Sequence, residues 1–365
     1  MLRRYQLFFQ QTVIALRSVR LSQSANRIRD CPQRLYSSTI AMSAKGSKVY
    51  ITSLVPQSGV TLLKEAGCVI SQWPQEDSVP REQFLKDVVG ADALYCSLCQ
   101  KIDKELLQAA GPQLKVVSTL SVGYDHVDVA ECAKRNIRLG NTPDVLTKAT
   151  AELGVALLLT VSRNIEKAVH AVKSGEWSSW KSMWLCGSGL EYSTVGIVGM
   201  GRIGTTLLQM LQPFGVSRFL YSSKRGAREL PVEAECVEFR TLLKESDFVI
   251  VCCSLTPETK DLFRAETFSQ MKKTAIFINI SRGAVVNQED LYDSLKNETI
   301  LAAGLDVTTP EPLPTDSPLL SLDNCTILPH IGSATTKARS IMSELTAKNI
   351  LAALEGKPMP AEIKL

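Results

Sequence analysis

Between Lys48 and Thr142 short apolar runs alternate with longer segments in which apolar residues recur every three or four positions. KVYITS, CVISQW, ALYCSL, LKVVSTL and IRLGNT have the length and composition of strands, whereas SGVTLLKEAG and DKELLQAAG carry helical spacing. Alternation of this kind implies parallel strands joined by crossover helices, hence an α/β domain. From Thr147 to Gly175 the pattern predicts one long helix with Leu153, Leu157 and Val161 on its apolar side. GEWSSWKSMWLCG follows and holds Trp177, Trp180 and Trp184. A second alternating series opens at Thr194 with TVGIVG, RFLYS, DFVIVCCS, TAIFINI, LAAGLDV and CTILPH, and KARSIMSELTAKNILAALEG then reads as a last helix. No internal repeat or low-complexity linker interrupts the two series. Two open α/β units in tandem leave a cleft between them, a common place for a ligand.

Charge changes the picture at one end only. The net charge of +4 is concentrated in the first forty residues, where Arg3, Arg4, Arg17, Arg20, Arg27, Arg29 and Arg34 face a single acid, Asp30. The remainder is close to neutral, which argues against a nucleic-acid partner. An Arg-rich, Ser-containing, acid-poor leader has the composition of a mitochondrial transit peptide, and RLY before Ser37-Ser38 resembles a processing site. Residues 1–41 therefore predict a mitochondrial destination where the leader is used, and a cytoplasmic one where translation starts at Met42. No apolar run reaches the ~18 residues of a membrane span, so no membrane partner is expected. The ten cysteines are scattered. Cys96-Ser-Leu-Cys99 is a lone C-x-x-C without a nearby His, which predicts no metal site and cysteines that act as small buried apolar residues.

Gly199, Gly201 and Gly204 form G-x-G-x-x-G at the end of a predicted strand and the start of a predicted helix. In that setting the first glycine allows the tight turn, the second lets the backbone approach a pyrophosphate, and the third lets helix pack on strand. Arg202 and Ile203 then offer helix N-terminal amides to the phosphates. An acid about 20 residues on would hold the ribose 2′-hydroxyl of NAD. Here no Asp or Glu occurs between Ser217 and Arg228, and Ser223, Lys224 and Arg225 stand in its place. A hydroxyl and two cations suit a 2′-phosphate, so NADPH/NADP is the preferred cofactor, with NADH/NAD possible.

The chain has three histidines, His126, His170 and His330. His330 ends the apolar run CTILPH, read as a strand, and so falls at the carboxyl edge of a parallel sheet, where open α/β sheets bind ligands. Arg282, after TAIFINI, Asp306, which ends LAAGLD, and Glu311 beyond it fall at the same edge. Arginine grips a carboxylate in a bidentate fork, and a carboxylate beside an imidazole orients it and favours its protonated form. Arg, Glu and His on successive strand ends make a coherent set for reducing a 2-oxo acid.

VGIVGMGRIG, NISRGAVVNQEDL, GLDVTTPEPLP and LPHIGSAT together resemble the D-isomer-specific 2-hydroxyacid dehydrogenases, over roughly residues 46–365. SVGYDHVD, GEWSSWKSMWLCG, SLTPET and KPMPAEIKL narrow the likeness to members that reduce glyoxylate to glycolate and hydroxypyruvate to D-glycerate. The resemblance implies a Rossmann cofactor domain (146–335, with a dimerisation helix and loop at 147–190) inserted into a flavodoxin-like substrate domain built from 46–145 and 336–365. It implies His330 as proton donor, Glu311 as its partner and Arg282 as the ligand of the substrate's carbonyl and carboxylate. The amides of Val122 and Gly123 would take the carboxylate, with Leu98 also at the substrate. Ser254, Ile280, Asp306 and Gly332 would line the nicotinamide side. A homodimer is expected, both from the apolar character of 147–190 and from the family, in which Trp180 would reach the partner's substrate pocket. Two rival readings share the fold: a dinucleotide-sensing corepressor without enzymatic activity, and phosphoglycerate dehydrogenase. No long disordered tail or basic nucleic-acid patch supports the first, and the 35 residues after His330 leave no room for an added regulatory domain of the second.

Overall fold

The apolar runs become strands: β1 (Lys48–Ile51), β2 (Val69–Gln72), β3 (Ala93–Cys96), β4 (Val116–Thr119) and β5 (Arg138–Gly140) in the first series. The second series supplies β6 (Thr194–Val198), β7 (Arg218–Ser222), β8 (Glu235–Cys236), β9 (Phe248–Val251), β10 (Ile276–Asn279), β11 (Ala302–Leu305) and β12 (Cys325–Ile327). A short β13 (Glu362–Ile363) closes the chain. The computed structural model describes residues 44–365, and the predicted leader 1–41 and the alternative start Met42 lie outside them.

Every residue of β3, β4, β9, β10 and β11 is buried, as strands covered by helices on both faces must be. The first sheet has the order β13-β5-β4-β3-β1-β2, and the second β12-β11-β10-β9-β6-β7-β8. Without β13 the first is the flavodoxin-like order, and the second is the Rossmann order with one strand added. All pairs are parallel except β13, which runs antiparallel to β5. Period-two alternation divides the second sheet between two cores: Phe248 and Ile250 face one, Val249 and Val251 the other. Leu157 and Leu158 of the helix Thr147–Ser162, with Leu207, Leu208 and Leu211 of the helix Arg202–Leu211, fill the first of these.

The last helix, Thr336–Leu354, leaves the second sheet and packs Met342, Ala347 and Ile350 against Val49, Ile51 and Tyr95 of the first. Ser343 fixes it there, accepting from Tyr95 OH at 2.9 Å and donating to the Pro56 carbonyl at 2.7 Å. The Rossmann sheet is thus an insertion within the flavodoxin-like one.

Three local expectations are corrected. The helix predicted over 147–175 is two helices, Thr147–Ser162 and Ile165–Ser174, because Asn164 adopts φ +53°. Asparagine visits this region at little cost, and its Nδ2 donates to the Cys186 carbonyl at 3.2 Å, tying the break to the tryptophan loop. β12 ends three residues before His330, which sits in a loop. Cys99, Cys186 and Cys236 are exposed, so the cysteines are not uniformly buried fillers.

Candidate active site

The glycine loop follows β6. Gly199 has φ +96°, and a β-carbon there would lie 2.5 Å from the Cys253 amide nitrogen. A β-carbon on Gly204 would meet the Gly199 carbonyl at 2.6 Å, whereas one on Gly201 would meet nothing within 4 Å. The outer glycines are therefore required by the protein, while Gly201 looks into open space. Thr205 is the first residue of the helix to donate back, to the Gly201 carbonyl at 3.0 Å, so the amides of Arg202, Ile203 and Gly204 stay available to an anion, as at any helix start. A dinucleotide pyrophosphate fits this cradle. The Arg202 side chain pairs with Asp144 at 2.5 Å.

Beyond β7, Ser223 is partly exposed and its Oγ accepts the Arg225 amide at 3.3 Å, which shapes the turn. Lys224 is paired with Glu258 at 2.9 Å, and the Thr256 Oγ1 hydrogen bond, together with that cation, holds the Glu258 carboxyl down at about 2. Arg225 has an exposed side chain with no ion-pair partner among the described residues. Of the two cations the sequence offers here, Arg225 is the one left for a ligand.

At the carboxyl edge of the second sheet, His330 Nδ1 lies 2.8 Å from Glu311 Oε2. The other carboxylate oxygen accepts the Thr308 amide at 2.9 Å. Burial acts to raise the Glu311 carboxyl, but the His330 hydrogen bond and charge, the Thr308 amide and the Arg282 charge together carry it below the usual range. His330 adopts φ +54°, a conformation that persists for such a residue only when its surroundings enforce it. Asp306 enforces it: Oδ1 accepts the Ile331 amide and Oδ2 the Gly332 amide, both at 2.8 Å. Burial pushes the Asp306 carboxyl above its ordinary value, against those two amides and the His330 charge. Asp306 and Gly332 therefore hold the histidine loop, in addition to any place they have beside a cofactor.

Arg282 leaves β10 on a turn organised by Asn279, a buried residue whose Nδ2 donates to the Arg282 carbonyl and whose Oδ1 accepts from Ser281. The guanidinium donates through Nε to Asp125 Oδ1 at 3.0 Å and through Nη1 to the Ser281 carbonyl at 2.8 Å. Nη2 lies over Gly123, where a β-carbon would be 1.8 Å away. The loop after β4 thus meets Arg282 directly. In that loop the carbonyls of Ser121, Val122 and Gly123 are taken by the Thr142 amide, Asn141 Nδ2 and Ser121 Oγ. The amides of Val122 and Gly123 donate to no acceptor among the described residues. An anion between these amides and Arg282 would satisfy all of them.

His126 lies behind the loop, its Nε2 3.1 Å from Thr119 Oγ1, which in turn pairs with Ser121 Oγ at 2.8 Å. Burial lowers its imidazole to about 4, with the Arg282 charge adding to the effect and the Asp125 charge opposing it. This histidine is a neutral support.

The structure brings His330, Glu311, Asp306, Gly332, Arg282, Val122 and Gly123 together. Leu98, half-buried after β3, lies on the first sheet's side. Ser254 is exposed after β9, and the Ile280 side chain is buried against Gly154. Trp180 stands apart, 84% exposed on its loop. Sequence reasoning missed Asp125, Asn279 and Arg339. The last is on the first turn of the C-terminal helix, and its buried Nε has no hydrogen-bond partner among the described residues. Asp125 stands inside SVGYD and could have been noticed as an acid beside a carboxylate-binding loop.

The family model for the D-isomer specific 2-hydroxyacid dehydrogenase, NAD binding domain, matches residues 155–332. The chain is 54% identical over 325 residues to the glyoxylate reductase/hydroxypyruvate reductase of Mus musculus, covering 88% of this chain and 99% of that relative. Among solved structures, a protein from Thermus thermophilus superposes with a TM-score of 0.82 at 38% identity, covering 87% of this chain and 100% of the other. The NADPH-dependent glyoxylate/hydroxypyruvate reductase from Sinorhizobium meliloti, solved in complex with NADP and malonate, gives 0.75 at 29% identity over 87% of this chain and 96% of its own.

Proposed function

We propose that this chain, which belongs to the D-isomer-specific 2-hydroxyacid dehydrogenase family, reduces glyoxylate to glycolate and hydroxypyruvate to D-glycerate with NADPH. The observation that carries this reading is the meeting of His330–Glu311 with Arg282 and the free Val122 and Gly123 amides: an acid beside a carboxylate site. Glu311 accepts from Nδ1 of His330 and thereby leaves Nε2 to hand its proton to the substrate's carbonyl oxygen. Arg282 grips the carbonyl and carboxylate, and the two amides take the remaining carboxylate oxygen. Bound NADPH supplies the hydride that goes to the carbonyl carbon. Names of relatives support the substrates: the mouse and Sinorhizobium meliloti proteins are both glyoxylate/hydroxypyruvate reductases. Ser223 and Arg225, which has no ion-pair partner among the described residues, favour the 2′-phosphate over a bare hydroxyl.

The exposed surface supports a dimeric reading. Trp177, Trp180 and Met183 are exposed on the loop after Ile165–Ser174, together with Val169 and Val172 of that helix. Burying such a patch in a symmetric contact removes its cost, so we read the protein as a homodimer built on 147–190. Light scattering that finds a stable monomer at assay concentration overturns this. Residues 1–41 are read as a mitochondrial leader, tested by imaging the full chain against one starting at Met42.

The reaction is tested by following NADPH oxidation by purified protein with glyoxylate and with hydroxypyruvate, and by identifying the second product. D-Glycerate with a kcat of roughly 1–10³ s⁻¹ is expected. No turnover of either acid, or L-glycerate as the product, overturns the reading.

A further inference from the structure

Arg282 and Asp125 are 157 positions apart and come from different sheets, yet Nε donates to Oδ1 at 3.0 Å. The Arg282 side chain is 23% exposed and that of Asp125 37%. An acid this close to a site for anionic substrates raises the electrostatic cost of binding them, so its presence needs a compensating role. Geometry supplies one. Nε faces Asp125 and Nη1 faces the Ser281 carbonyl, which together fix the plane of the guanidinium and leave Nη2 against Gly123. Asp125 is itself held, because its neighbour His126 is tied through Thr119 to β4 and through its carbonyl to the Ile102 amide at 2.9 Å.

We propose that Asp125 is the positioning residue for Arg282: it sets the spacing between the arginine of one sheet and the carboxylate-binding amides of the other, so that the 2-oxo acid meets both at once. The inference rests on the reading above that this cleft binds 2-oxo acids. Asp125 acts through Arg282, to which it is hydrogen-bonded. Without it, the guanidinium keeps only the Ser281 hydrogen bond, and Nη2 loses its fixed place against Gly123. An asparagine keeps an oxygen for Nε and removes the charge, so geometry and charge are separable.

The test uses the full chain as wild type, Asp125→Ala and Asp125→Asn, with KM and kcat for glyoxylate, the dissociation constant of oxalate as a non-reacting dicarboxylate, and that of NADPH. Asp125→Ala is expected to raise KM and weaken oxalate by about tenfold or more, as small misplacements of a binding group do, with NADPH affinity unchanged. Asp125→Asn is expected to recover most of that loss. Wild-type KM and oxalate affinity in Asp125→Ala overturn the inference, as does a parallel loss of NADPH affinity, which marks general damage to the fold. An inactive wild type overturns the functional reading and this inference with it, whereas an active wild type matched by Asp125→Ala overturns the inference alone.

Discussion

A β-carbon on Gly123 would lie 1.8 Å from Arg282 Nη2 and 2.9 Å from Asp125 Oδ1, so this glycine and this arginine occupy adjoining space with no atom to spare. Gly123→Ala forces the guanidinium aside. A displacement of about 1 Å in a binding group costs roughly 10²-fold, and that loss is expected in kcat/KM for glyoxylate. The glycine loop after β6 is remote in sequence and untouched, so NADPH titrated by fluorescence quenching binds as before. Wild-type kcat/KM in the variant contradicts the close approach.

Cofactor choice rests on the turn after β7. Ser223→Asp with Arg225→Ala replaces a hydroxyl and a free cation by an acid that accepts from a 2′-hydroxyl and repels a phosphate. The preference for NADPH over NADH, as a ratio of kcat/KM values, should move toward NADH by about 2–4 kcal/mol if each charged contact contributes roughly 1.5–3. Lys224 adds little while Glu258 holds it. Releasing it by Glu258→Gln should lower KM for NADPH by roughly two- to fivefold, in line with a surface ion pair. A wild type that already prefers NADH shows that the basic turn is only solvated surface.

Acid weakens the fold through His126. The unfolded chain takes up this proton near 6.5, whereas burial holds the folded imidazole to about 4. Between those values the unfolded state binds more protons, so stability falls as pH drops through the window and the contribution levels off below it. His126→Gln removes that titration. Unfolding in urea at pH 7 and pH 4.5 should show the wild type losing roughly 2–3 kcal/mol more than the variant. Equal losses contradict a neutral buried histidine.

The sequence made the two sheets legible because parallel strands must be apolar on both faces, and runs such as FVIV and IFIN can be little else. It also made Gly199, Gly201 and Gly204 legible, since their spacing is set by local geometry. What periodicity encodes is burial, not partnership. The ion pair of Asp125 with Arg282 spans 157 positions, and nothing in SVGYD shows what its acid will meet. Lys224 looked free until Glu258, 34 positions on, came beside it. Asn164 breaks a helix whose apolar spacing continues past it, because the compensating bonds come from the loop at Cys186. Asp306 was legible as an acid at a strand end, while its work on the Ile331 and Gly332 amides depended on the path of a loop that only the folded chain defines.

The most direct measurement is the rate of glyoxylate reduction by His330→Ala at saturating NADPH, beside the dissociation constant of NADPH for the same variant. Losing a general acid costs about 10²–10⁴-fold, so kcat should fall by that factor while NADPH binds as tightly as to the wild type. Reduction at a near wild-type rate would contradict the assignment of His330 as the proton donor, and with it the account of this cleft.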